Sequence, residues 1–85
     1  AAASEMNDAD RAEFIRSMVS RLAERLEDEP DDLDGWMRLA NAYTVLQEPD
    51  RAVEAYRKAE ALLEQQPASD PRRAAVRAAL ERLGG

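Results

Sequence analysis

Residues 35–43 read GWMRLANAY and hold the chain's only Trp and one of its two Tyr residues. Trp36, Leu39, Ala40 and Tyr43 fall at i, i+3, i+4 and i+7, which gathers them on one stripe of an α-helix. Met37, Arg38, Asn41 and Thr44 fall elsewhere on that helix. One small residue among three large ones predicts a second helix packed close at Ala40.

The partner lies downstream. After the interruption QEPD, Asp50 is placed to cap a helix carrying Ala52, Val53, Tyr56, Ala59, Leu62 and Leu63 toward Gln66. So short a connection permits little besides an antiparallel helical hairpin. Together the two segments spell W-x2-L-A-x2-Y and then A-x3-Y-x2-A, which resembles the tetratricopeptide pattern W-x2-L-G-x2-Y followed by A-x3-F. Ala40 stands for the usual Gly and Tyr56 for the usual Phe. The match covers residues 33–66. The Pro expected near residue 64 arrives at Pro67, so the second helix of the pair is expected to run one turn long.

A helix on each side completes the reading. Upstream of the hairpin, Asn7 is a candidate N-cap, with Asp8 and Asp10 in the first turn. Phe14, Ile15, Met18, Val19, Leu22 and Leu26 then form one apolar stripe to about Asp28. Residues 1–6 read as a disordered lead. Moved back 34 residues, Met18 and Leu22 take the places of Ala52 and Tyr56, whereas Arg25 does not fit the place of Ala59. This helix, about 8–28, thus resembles the second helix of a degenerate upstream repeat. Downstream, Asp70 caps and Pro71 begins a helix over about 71–83. It carries Val76, Ala79, Leu80 and Leu83, and Gly84 and Gly85 end it. No segment alternates apolar and polar residues over a strand's length. The expectation is an all-α fold, one helical repeat domain over residues 7–85, in effect an α-solenoid fragment with a solvating C-terminal helix. Such stacks need about three repeats or caps to cover their faces, so the unfilled end predicts self-association into a homodimer.

Composition narrows the function. The net charge of −6 opposes nucleic-acid binding, which needs a basic face. Charge is uneven: ten acids face four bases in residues 1–32, two face one in residues 33–49, and six face seven in residues 50–85. No apolar run approaches the roughly 20 residues that cross a bilayer, so direct membrane insertion by this segment is not expected. The start lacks signal-peptide features, and the missing initiator Met suggests a piece of a longer protein. With no Cys and no His, the commonest zinc ligands and the commonest general base are missing. The acid cluster EDEPDDLD, residues 27–34, lacks the spacing and glycine of a calcium loop, and Asp31 or Asp32 has a structural use as a helix cap. No metal or other cofactor is implied. The carboxylates form no recognisable acid–base pair and there is no Gly-rich phosphate loop, so catalysis is not expected.

Residues 14–63, FIRSMVSRLAERLEDEPDDLDGWMRLANAYTVLQEPDRAVEAYRKAEALL, resemble more closely the repeat region of the CcmI family of bacterial cytochrome c maturation. The pieces that carry this are MVSRLAERL, the PDD turn, GW entering the hairpin, and AYTVLQEPDRAVEAY. The resemblance implies a membrane-anchored parent whose repeats face the periplasm. It also implies that they hold unfolded apocytochrome c, largely by its C-terminal helix, for a partner haem lyase complex. In such repeats the first helix of each pair lines the concave surface, which nominates Asp34, Met37, Asn41, Thr44 and Val45 as a peptide-binding groove. Met37 could adapt to an apolar helix face, and Asn41 could both donate and accept hydrogen bonds. Met37 stands where a carboxylate clamp usually has Lys, so a clamp is not expected. The plain alternative is that these are solvent-exposed helix residues. Trp36, Tyr43 and Tyr56 read as core rather than as a stacking platform. Arg72, Arg73 and Arg77 read as a solvated face rather than a basic spot for an acidic partner. The rival to an apocytochrome holder is a generic scaffold or oligomerisation module with another client.

Overall fold

A computed structural model describes residues 8–85, so Asn7 and residues 1–6 lie outside it. The described residues form four helices: α1 (Asp8–Asp28), α2 (Leu33–Val45), α3 (Pro49–Leu63) and α4 (Pro71–Leu83). Each packs on the next in sequence, most extensively α2 on α3. The fold is all-α, with the helices arranged as adjacent pairs. None of the described helices is long and apolar enough to cross a membrane.

The stripe that begins at Trp36 is the centre of the core. Trp36, Leu39 and Ala40 are buried from α2, and Ala52, Ala55, Tyr56, Ala59 and Leu63 from α3. Ala40, Ala52 and Ala59 expose nothing at all, which is what close approach of the two helices requires. Leu26 of α1 and Val76 of α4 close the core from either side. Full burial of a side chain such as Leu26 is worth about 1.5–3 kcal/mol.

The α1–α2 junction is held by three short-range devices. Asp32 is the N-cap of α2, its Oδ1 accepting the Gly35 N–H at 2.9 Å. The Trp36 indole N–H donates to the Pro30 carbonyl at 2.9 Å, satisfying the one polar atom of a buried ring. Gly35 lets α1 approach: a Cβ there would lie 2.7 Å from both Leu26 Cδ2 and Asp32 Oδ2.

At the α2–α3 junction the cap differs from the one the sequence suggested. Asp50 sits in the first turn, whereas Glu48 is the N-cap and Pro49 begins α3. Pro49 needs no N–H at that position and its fixed φ starts the helix early. Glu48 makes no side-chain cap bond and instead pairs with Arg16 of α1 at 3.5 Å. Gln47 ends α2 at φ 61°, with its N–H on the Thr44 carbonyl and the Glu48 N–H on the Tyr43 carbonyl. That is a Schellman turn with Gln where Gly or Asn is favoured.

Nor does α3 gain the extra turn expected from the late Pro67. It stops at Leu63, and residues 64–66 tighten into i→i+3 bonds, Gln65 to Leu62 and Gln66 to Leu63. Arg73 of α4 ties this helix end down, donating a second bond to the Leu63 carbonyl at 2.6 Å and one to the Gln66 carbonyl at 2.8 Å. On α1 the apolar stripe splits. Val19 and Leu26 are buried and Ile15 and Leu22 half-buried, but Phe14 and Met18 face solvent.

Two substitutions test these junctions by urea denaturation. Gln47→Gly relieves the left-handed residue and is expected to stabilise by about 0.5–1 kcal/mol. Gly35→Ala should gain about 1 kcal/mol from helix propensity alone, yet here it is expected to lose about 1–2 kcal/mol by displacing Leu26 and the Asp32 cap.

Candidate protein-binding groove

Because α2 and α4 both lean on α3, a groove opens between them. Its floor and walls follow from cap placement. Asp32 and Asp70 are the N-caps of α2 and α4, and Asp70 accepts the Arg72 N–H at 2.9 Å. Position for position from these caps, Asp34 on α2 corresponds to Arg72 on α4, and the two meet at 3.2 Å across a separation of 38 residues.

One end of the groove is a hollow of about 420 Å³ lined by Asp34, Met37, Arg38, Asn41 and Arg72. A second hollow of about 370 Å³ continues it, lined by Asn41, Thr44, Tyr56, Ala79, Arg82 and Leu83. Asn41 is common to both and marks the middle. Four of the five nominated residues are thereby brought together: Asp34, Met37, Asn41 and Thr44. Val45 is 64% exposed and lines neither hollow.

Their chemical readiness differs. Thr44 donates its hydroxyl to the Ala40 carbonyl at 2.9 Å, so its donor is already used within α2. Asn41 is exposed and its amide has no hydrogen-bond partner among the described residues. Met37 is half-buried beside it, presenting a flexible apolar surface. Arg72 is fixed. Besides Asp34 it binds Asp70 through two guanidinium nitrogens, at 2.7 Å and 3.1 Å. These bonds from the Arg72 side chain, with that from its backbone N–H, lower the Asp70 pKa from 3.8 to about 2. Bonding to Asp70 and then to Asp34 raises that of Arg72.

Arg72 and Arg73 are consequently not a basic spot for a partner, the first being paired with two aspartates and the second with helix-end carbonyls. The aromatic residues fall as the sequence suggested. Trp36 and Tyr56 are buried in the core and Tyr43 is half-buried, with Lys58 5.9 Å from the Trp36 ring centroid and Arg51 5.9 Å from that of Tyr43. Sequence reasoning missed the α4 wall, Ala79, Arg82 and Leu83. Counting from the Asp caps, rather than by a fixed 34-residue period, would have aligned it with α2.

Asp70 gives the groove's end a signature in acid. Its folded pKa is depressed, so its contribution to stability is complete above about pH 4 and is lost as pH falls toward 2. Asp70→Asn keeps a competent cap but cannot titrate. Between pH 4 and 2 its unfolding free energy, measured by urea titration, should fall less steeply than that of the unmodified chain.

No protein-family model matches the chain, and no solved structure matches it. Two curated relatives do match. CycH of Rhizobium meliloti (strain 1021), a cytochrome c-type biogenesis protein, is 54% identical over 55 residues, covering 65% of this chain and 14% of that protein. CycH of Bradyrhizobium diazoefficiens is 47% identical over 55 residues, again 65% of this chain and 15% of the relative. The chain therefore spans about one-seventh of the length of the curated relatives it matches. Over those 55 residues it is homologous to the cytochrome c-type biogenesis protein CycH, in agreement with the resemblance carried by residues 14–63.

Proposed function

We propose that this chain is a non-catalytic protein-binding module of the cytochrome c maturation apparatus. In this reading residues 33–66 form a tetratricopeptide repeat within one domain of an α-solenoid, with α1 the second helix of an upstream repeat and α4 the first helix after it. Burial of Trp36, Leu39, Ala40, Ala52, Tyr56 and Ala59 supports the repeat. The observation that carries the function is the identity of 54% to a CycH protein. The client is apocytochrome c, held for a haem lyase complex on the periplasmic side of a bacterial inner membrane.

The α2–α4 groove is the part that holds the client. Met37 and Leu83 offer apolar surface to one face of a helix, Asn41 meets a polar group midway, and Asp34 sets the edge with Arg72. Val45 extends the surface at the α2 end. Such a groove matches the helix-in-groove mode of peptide recognition, in which apolar anchors at i, i+3 and i+4 give affinity.

Calorimetric titration with the C-terminal helix of a c-type apocytochrome from the same organism, beside a scrambled peptide of equal charge, tests the proposal. The expected outcome is selective binding that weakens about tenfold on Met37→Glu, roughly 1.4 kcal/mol, and measurably on Asn41→Ala. Equal binding of the scrambled peptide, or none at millimolar concentration by the folded domain, would favour a scaffold with another client.

A further inference from the structure

α1 has a second face. Arg11, Phe14, Met18, Arg21 and Arg25 succeed one another at spacings of three and four residues, the period of a seam between two helices, and all five are exposed. This seam is distinct from the Val19–Leu26 side that packs on the core. Phe14 is 60% and Met18 55% exposed, and with Val45 they are the large apolar side chains the described residues leave in water.

The charge around them is specific. Residues 1–32 hold ten acids and only four bases, and three of those bases, Arg11, Arg21 and Arg25, lie on this seam. Arg11 and Arg21 have no ion-pair or hydrogen-bond partner among the described residues, while Arg25 reaches Asp32 at 3.4 Å. An apolar pair is thus bracketed by cations on an otherwise acidic segment. From Arg11 to Arg25 the seam is about 21 Å long at 1.5 Å per residue.

We infer that the Arg11–Phe14–Met18–Arg21 face of α1 docks an acidic amphipathic helix of a partner protein, separate from the α2–α4 groove. The occupant would place two or three apolar residues over Phe14 and Met18 and carboxylates toward Arg11 and Arg21. Charge also says what does not fit. In an antiparallel pairing of α1 with a second copy, centred on the apolar pair, Arg11 would oppose Arg21; in a parallel one, like residues would oppose each other. Either arrangement sets cation against cation, which is destabilising.

The test uses two designed 21-residue amphipathic peptides that share a Leu seam and differ only in carrying Glu or Lys beside it. The 15N-labelled chain is titrated with each and followed by amide shifts. Expected is at least tenfold tighter binding of the Glu peptide, with shifts centred on residues 11–25, lost in the double variant Phe14→Ser/Met18→Ser. In Arg11→Glu/Arg21→Glu the preference should invert toward the Lys peptide. These side chains are exposed, so circular dichroism of the variants should match the unmodified chain. Four results would overturn the inference: no preference between the peptides, no binding of either, shifts confined to α2 and α4, or α1 shifts that follow protein concentration or phosphatidylglycerol vesicles instead.

Discussion

Everything distal to α1 is oriented by what happens between Pro30 and Trp36. Here a proline ends one helical path, an aspartate starts the next, and a tryptophan reaches back to fasten the turn to its own helix. Each contact is modest alone, about 1 kcal/mol for a cap or a neutral hydrogen bond. Their effect is geometric as well as energetic. Gly35 brings the α2 backbone against Leu26, and the entry angle set there decides which α2 residues meet α3 and which remain for the groove. The acid-rich turn that a reader could take for a metal loop is, in Asp32, a helix cap with a second bond to Arg25.

The groove is a consequence of helices that share one support. α2 and α4 both pack on α3, and their separation is bridged at one end by the Asp34–Arg72–Asp70 cluster. Exposed ion pairs of this kind contribute little to stability. Arg72 gains definition from geometry instead, since a planar guanidinium bound by two carboxylates has few other positions to occupy. The far end lacks such a bridge, so Arg82 and Leu83 of α4 face Thr44 and Asn41 across open space.

Much of this was legible in the sequence. Helical periodicity found the four helices of the described residues, and the small residues Ala40, Ala52 and Ala59 found the closest pair, because those signals are local and repeat every turn. What escaped depended on contacts between elements. Nothing near Gln47 announces a left-handed residue, since Gly and Asn are the usual signs of one. The apolar stripe of α1 does not say which of its members α2 reaches, and periodicity alone groups Phe14 and Met18 with Ile15 and Val19 although their exposure differs. Arg73 read as a surface charge because its partners are backbone carbonyls, which carry no side-chain signature.

The division of labour within α2 follows from the same local physics. A helix of 13 residues has enough turns for two faces, and the residues that make the strongest packing are unavailable for recognition. Trp36 and Leu39 are committed to the core, and Trp36 spends even its indole N–H on the Pro30 carbonyl. Recognition must therefore use what packing leaves over. Thr44 has already turned its hydroxyl to Ala40, so on the proposed reading the open amide of Asn41, the adaptable thioether of Met37 and the guanidinium of Arg38 are what this face of α2 leaves for a client. With Arg38 and Arg82 lining the two hollows beside Met37 and Leu83, the proposed client is a helix that brings an apolar face flanked by hydrogen-bond acceptors.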